Sequence, residues 1–89
     1  MIKAVVTVVG QDQTGIVAGV ANTLADQKVN ILDMAQTIME KTFTMSMLVA
    51  LPDANDFNKV HDALAACGEK LGVTIHIQRE EIFDAMSRV

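Results

Sequence analysis

The sequence predicts an α+β sandwich whose elements follow in the order strand, helix, strand, strand, helix, strand. Three observations predict it. A β-branched run from Ala4 to Val9 is followed, after a glycine-bounded turn, by apolar residues at helical spacing. Two extended segments then flank a short polar link at 40–42. A second helical seam and a last alternating segment complete the order.

The first half of the chain predicts a buried strand and the helix that packs on it. The run Ala4–Val9 is short and contains neither Gly nor Pro, which favours a strand. We expect a helix over about 15–27 because apolar residues recur there on one side. They are Ile16, Val17, Val20 and Leu24. Lys28 then stands where Gly or Asn would give an easier left-handed exit from the helix.

The middle of the chain predicts an antiparallel hairpin. Residues 30–39 form a long strand with imperfect alternation, which favours a bulge near Asp33. Residues 43–51 alternate more regularly, and the short link between the two strands favours antiparallel pairing. Four of the six methionines lie between Met34 and Met47, so we expect an adaptable interior or contact face there.

The second half predicts another helix and strand. Pro52 ends the hairpin, and Asp53 or Asn55 could cap the next helix. Residues at spacings of three and four form that helix's apolar seam, and Gly72 is suited to end it. The seam contains Phe57, Val60, Leu64, Cys67 and Leu71. Residues 73–78 alternate as a fourth strand, and 80–86 predict a short amphipathic helix that covers the core or docks on a second subunit.

This element order is the split βαβ arrangement of the ferredoxin-like class. Right-handed crossovers would place both helices on one face of a four-stranded antiparallel sheet. Residues 1–89 are expected to form a single domain. A domain of this size buries little more apolar surface than it needs to fold, so association with a second copy would be a natural way to bury more. The opposite sheet face would be small and polar. It would carry Thr7, Thr44, Ser46, Thr74, His76 and Gln78.

Charge and hydropathy argue against two classes of partner. The formal charge is −4 and the seven Lys and Arg residues are scattered, so no basic stripe exists for nucleic acid. No apolar run approaches membrane-spanning length and no secretion signal is evident, so we expect no membrane partner and a cytoplasmic location. The single cysteine permits no internal disulfide, which agrees with a reducing compartment.

Catalytic and metal-binding patterns are weak. His61 and Cys67 are six residues apart on a predicted helix, so they point to different sides and make a poor nucleophile and base. Cys67 is expected to be a buried, inert thiol, and His76 a surface or interface residue. We therefore expect no enzyme, no cofactor and no metal. Three acidic residues could bind a hard cation, although capping or solvation explains them better: Asp12, Asp26 and Asp33.

The turn from Gly10 to Gly15 is the candidate ligand site. A helix that begins near Gly15 has unpaired N–H groups and the positive end of its dipole there, which suits a carboxylate. Asp12 supplies a negative charge a few residues earlier, so one turn could hold both ends of a zwitterion. The alternative is that Asp12 or Thr14 only caps the helix and Gly15 only permits the turn.

These residues resemble a known family. The turn 12–17, the helix to Leu24 and the segment Val29–Ile31 resemble the signature of an ACT domain, the small regulatory module that commonly binds amino acids. The ending Glu81–Met86 resembles that of small stand-alone bacterial ACT proteins related to the glycine-cleavage repressor type. The resemblance therefore extends over the whole chain.

The resemblance implies a site at a subunit boundary. In amino-acid-binding ACT domains the first loop of one subunit faces the second strand of its neighbour, and paired domains often join into one sheet. By position, Asp12 would bind the ligand ammonium, backbone N–H groups at 15–17 its carboxylate, and the Asn30 amide would contact the ligand. The implied site residues are Asp12, Thr14, Gly15, Ile16, Val17, Asn30 and Ile31.

Gly10 departs from one branch of that family, since serine-binding relatives have a histidine at this point of the loop. We expect a non-enzymatic, homodimeric or higher-oligomeric regulatory protein that binds an amino acid of a kind the sequence does not specify. The alternative is a ligand-free interaction module, whose dimer surface regulates a partner enzyme or transcription factor.

Overall fold

A computed structural model describes residues 2–11 and 13–80 of the chain. Within these ranges the elements follow the predicted order. They are β1 (Ile2–Gln11), α1 (Ile16–Asp26), β2 (Asn30–Met39), β3 (Thr42–Leu51), a 3-10 turn (Ala54–Asp56), α2 (Phe57–Leu71) and β4 (Thr74–Arg79). Asp12 and residues 81–86 of the predicted C-terminal helix lie outside the described residues.

The four strands form one antiparallel sheet in the order β2-β3-β1-β4. The predicted ferredoxin-like βαββαβ arrangement is therefore confirmed. The first strand is longer than the sequence indicated. Gly10 and Gln11 belong to β1, where they pair with Phe43 and Thr42, because ladder pairing continues past the β-branched run. The turn to α1 is correspondingly short.

One face of the sheet packs against both helices. Alternate residues of β1 are completely buried there, and they are the ones predicted: Ala4, Val6 and Val8. The helices contribute their apolar stripes to the same cluster, through residues such as Val20 and Leu64. Along β3 the inward residues are Phe43, Met45, Met47, Val49 and Leu51.

The β2–β3 hairpin contains the predicted bulge. Its register shifts between Ile31 and Asp33, so Leu32 is the extra residue. The two strands are joined by a tight turn at Glu40 and Lys41, and Glu40 has a φ of 59°. Such a left-handed conformation is costly for a residue with a Cβ atom.

The helix ends confirm two predictions and correct one. Lys28 follows α1 with φ 60°, and Gly72 ends α2 with φ 74°. The Asp53 carboxylate accepts the Asn55 N–H at 3.0 Å, so it caps the 3-10 turn and not α2.

The prediction that Cys67 is a buried thiol was wrong in degree. Cys67 is half-buried and packs against the core from α2, because its position lies at the margin of the helix seam.

Candidate ligand site at the start of α1

The start of α1 is formed by a glycine in a left-handed conformation. Gly15 is the N-cap residue with φ 93°, and its carbonyl accepts the Gly19 N–H at 2.8 Å, the first hydrogen bond of the helix. Glycine adopts this φ without the penalty that a side chain imposes. A Cβ atom built on Gly15 meets nothing within 4 Å, so the space around it is open.

The first N–H groups of α1 have no side-chain cap within the described part of the chain. Gly15 makes no side-chain cap hydrogen bond, and Thr14 is exposed beside it without capping the helix. The capping role considered for Thr14 is therefore not observed. The first turn also contains no acidic residue that would offset the positive end of the dipole. This helix end can accept a small anion.

The next two site residues contribute only their backbone. The Ile16 side chain is buried in the core, and the half-buried Val17 side chain packs against the same cluster. Both side chains point away from the open space at Gly15 because they belong to the inward stripe of α1. Their N–H groups remain at the start of the helix, as the sequence predicts.

Sequence reasoning missed two contacts that hold the end of β1 and the following loop against the segment that joins α2 to β4. The Gln13 side-chain amide donates a hydrogen bond to the carbonyl of Leu71, the last residue of α2. Gly10 lies so close to Val73 that a Cβ atom on it would be 2.5 Å from Val73 Cγ1. The only sequence signal for the second contact was the glycine itself within a β-branched strand.

The remaining predicted site residues lie at the far end of the same sheet. Asn30 pairs with Ala50, and Ala50 pairs with Lys3 near the start of β1. The loop before α1 instead follows Gln11, at the end of β1. Lys3 and Gln11 are eight residues apart along the strand, which corresponds to about 27 Å. Ile31 lies in the adjacent row, beside Val49. One chain therefore does not bring Asn30 and Ile31 to the start of α1.

The strand that contains Asn30 lies at one margin of the sheet. Among the described residues β2 pairs only with β3, and all ten residues of β2 are exposed. Its exposed apolar side chains include Met34, Ile38 and Met39, the last at 71% exposure. Met45 and Met47 of β3 are buried, as expected for an interior role, whereas a contact role for the exposed Met34 and Met39 stays a prediction. An exposed strand edge of this kind has unpaired backbone groups that another strand can pair with.

The described ranges contain no group of three or more His, Cys, Asp or Glu residues placed to hold a metal ion. They also contain no helix that is long and apolar enough to cross a membrane. His76 is exposed on the sheet face away from the helices, where the register aligns it with Thr7.

Comparison with known proteins identifies the family. The ACT domain model matches residues 3–78. The chain belongs to the ACT domain family. It is 52% identical over 88 residues to a UPF0237 protein from Clostridium acetobutylicum, an alignment that covers 98% of this chain and 99% of that protein. The predicted resemblance is thus confirmed.

Solved structures of ACT proteins share the architecture. An ACT domain protein from Streptococcus pneumoniae superimposes with a TM-score of 0.83 and 41% identity, covering 92% of this chain and 93% of the other. A structure described as a glycine cleavage system transcriptional repressor superimposes with a TM-score of 0.79 and 26% identity. The alignment covers 88% of this chain and 45% of the other. This ACT chain therefore has the fold of a regulatory module for small ligands.

The structure also gives a physical reason for the departure at Gly10. A histidine at this position, as in serine-binding ACT domains, would begin with a Cβ atom that overlaps Val73. Val73 is fixed on its other side, because its N–H donates to the Gly68 carbonyl at 2.9 Å beyond the end of α2. The packing between β1 and this segment therefore requires glycine.

Proposed function

We propose that this ACT domain is a non-enzymatic regulatory protein that binds an amino acid between two copies of itself. The observation that carries the proposal is the start of α1. There the first N–H groups lack a side-chain cap within the described residues, and Gly15 opens onto free space. Backbone donors in an open site at the positive end of a helix suit a carboxylate.

The neighbouring residues suit the other end of a zwitterion. Asp12 precedes the helix donors by a few residues and would bind the ligand ammonium. Thr14 is exposed in the same turn and could contribute a hydroxyl to the ligand. A ligand with a carboxylate and an ammonium on one carbon would satisfy both groups. This chemistry describes an α-amino acid.

The separation of Asn30 from this loop supports a site that is completed by a second copy. Within one chain the two lie at opposite ends of the sheet. Antiparallel pairing of β2 with β2 of another copy would bring the start of one strand to the end of the other. Asn30 of the partner subunit and Ile31 of the partner subunit would then lie at the end of the sheet where α1 begins.

A ligand held between subunits provides a means of regulation. It favours whichever arrangement of the two copies closes around it, and the coupling energy equals its difference in affinity for the two arrangements. The closed arrangement would then be the state recognised by a cytoplasmic target protein. No chemical conversion of the ligand is part of this proposal.

The test is a thermal-shift screen of the twenty amino acids at millimolar concentration. A ligand at ten times its Kd adds about 1.4 kcal/mol to the unfolding free energy, a shift of roughly 6–11 °C for a chain of this size. Asp12→Ala should abolish the shift. Asp26→Ala is the matched control, because it removes an exposed carboxylate at the other end of α1 and should leave the shift intact.

The screen has two outcomes that contradict the proposal. One is that no amino acid raises the melting temperature of the unmodified protein. The other is that Asp12→Ala and Asp26→Ala reduce the shift in melting temperature equally. Ligand binding would then not depend on the turn before α1.

The exposed apolar edge of β2 favours a second candidate function, in which the module regulates a partner enzyme or transcription factor without a ligand. Capture of partners from lysate, with and without added amino acids, separates the two. Ligand-dependent capture supports the sensor. Capture that is unchanged by every amino acid, together with a negative screen, supports the ligand-free module.

A further inference from the structure

The face of the sheet that lies away from the helices, the open face, contains a mostly apolar hollow of about 240 Å³. Its lining includes Val5 of β1 and Leu48 of β3, which pair with each other and are both half-buried. Ala35 and Ser46 continue this open-face hollow along the hairpin, and Asp33 lies at its β2 margin. None of these residues belongs to the candidate ligand site.

Strand β4 ends beside the open-face hollow. Gln78 pairs with Val5, and Arg79 ends the strand one row later, opposite Ala4. Neighbouring strands lie about 4.8 Å apart, so β3 is about 10 Å and β2 about 14 Å from the strand at which the chain leaves the sheet. Nine residues follow Glu80 in the sequence, and as a helix they would span about 14 Å. Their length therefore matches the width of the open face.

The sequence of these nine residues has one apolar side at helical spacing. The residues on that side are Ile82, Phe83, Met86 and Val89. A helix this short is marginal in water on its own and depends on a surface to pack against. The segment 81–89 therefore needs an apolar surface within its reach.

The open-face hollow is the apolar surface that the segment meets first. On the helix side of β4, Ile77 is already buried in one cluster with Val60 and Leu64 of α2. The exposed apolar side chains of β2 are further away, because β2 forms the opposite margin of the sheet. Val5 of the hollow, in contrast, lies on the strand next to β4.

The charges agree with a crossing from β4 towards β2. Lys3 is exposed on the open face at the end of β1 nearest Arg79, and Asp33 is exposed at the β2 margin. Along the segment the acidic Glu81 and Asp84 come first, and Arg88 comes near the end. This order places opposite charges beside each other at both ends of the hollow.

We propose that residues 81–89 fold back across the open face of their own chain, with Ile82, Phe83 and Met86 packed into the open-face hollow. The occupant is the chain's own segment and not a second copy, because a short connection from β4 gives the segment a high effective concentration at the hollow. The contact closes the open face to other sheets and leaves the edge of β2 unobstructed. It does not depend on the proposed ligand site.

Intramolecular disulfide formation tests this placement in the full-length protein. In a Cys67→Ala background, Leu48→Cys combined with Met86→Cys should oxidise to a crosslinked monomer, since side chains that pack together come within disulfide range. Ala65→Cys combined with Met86→Cys is the matched control. Ala65 is exposed on α2, at the other side of the sheet, so this pair should remain uncrosslinked.

Thiol reactivity gives a measurement that does not depend on the exact register of the segment. In the same background, the reaction of Leu48→Cys with a soluble aromatic disulfide reagent should become roughly tenfold faster when Ile82→Ser and Met86→Ser are added, because the segment loses apolar contacts. Asp84→Ser with Ser87→Ala alters only the polar side of the segment and should leave the rate within about twofold.

Ser46→Cys provides a second thiol in the same hollow at an exposed position, where the substitution does not disturb the core. Its rate should follow that of Leu48→Cys. Three results would overturn the inference: crosslinking through Ala65→Cys and not through Leu48→Cys, equal thiol rates in the apolar and polar variants, or crosslinked dimers in place of crosslinked monomers. The last result would show that the segment docks on a second copy.

Discussion

Substitution of Gly10 by alanine should destabilise the protein through one identifiable contact. The new Cβ atom would lie 2.5 Å from Val73 Cγ1 and 2.9 Å from Val73 Cβ, whereas carbon atoms pack at about 3.5–4.0 Å. Relief requires a movement of about 1 Å by one of the two segments. Val73 is β-branched and its N–H is bound to the Gly68 carbonyl, so neither rotation nor displacement is easy.

The expected magnitude follows from the cost of overpacking. Inserting a methyl group into a filled site costs about 1–3 kcal/mol, and Ala recovers roughly 0.5–1 kcal/mol relative to Gly through its lower unfolded-state entropy. Gly10→Ala should therefore lower the unfolding free energy by about 0.5–2 kcal/mol. The measurement is urea unfolding followed by far-UV circular dichroism, since the chain contains neither Trp nor Tyr.

A double-mutant cycle shows whether Val73 is the cause. Val73→Ala removes the atom at 2.5 Å, so the loss in Gly10→Ala should shrink in that background, with a coupling energy of about 1 kcal/mol. Gly15→Ala is the contrasting control, because it introduces strain at φ 93° with no atom within 4 Å, and Val73→Ala should not relieve it. Additive effects of Gly10→Ala and Val73→Ala would refute the reasoning.

Two smaller predictions concern the turns. Glu40→Gly should raise the unfolding free energy by about 0.5–1 kcal/mol because Glu40 has φ 59°, and a decrease in urea denaturation would contradict this. Gln13→Ala should remove the tie between the loop and Leu71, lowering stability by at most about 1 kcal/mol at this exposed position and accelerating amide exchange over 14–17. Gln11→Ala, an exposed change in the same region, should leave that exchange rate unchanged.

The sequence predicted the element order because its signals are local. The seam from Phe57 to Leu71 and the alternation along β3 each depend on residues only two to four positions apart, and both occur as expected. The bulge beside Asp33 was also visible as a break in alternation. Exposure was harder to predict than periodicity, since Cys67 lies on the predicted seam yet remains half-buried.

The contacts around the candidate site could not be predicted in the same way. Gln13 reaches Leu71 and Gly10 abuts Val73, in each case across about sixty residues of sequence, and no local pattern encodes such a pairing. The distance between Asn30 and the loop also depends on the strand register. Sequence motifs indicated which residues could bind a ligand, and the sheet showed that they belong to two separate regions of one chain.

The unequal edges of the sheet limit how far association can proceed. β2 has ten residues at one margin, all of them exposed, and β4 has six at the other, of which two are exposed. Two copies that meet through β2 use up the long edge of both, and a contact related by a two-fold axis cannot propagate. Growth by strand addition would have to continue from β4, where fewer hydrogen bonds are available for each added copy. In a dimer formed through β2, the asymmetry between the two edges would therefore limit the growth of filaments.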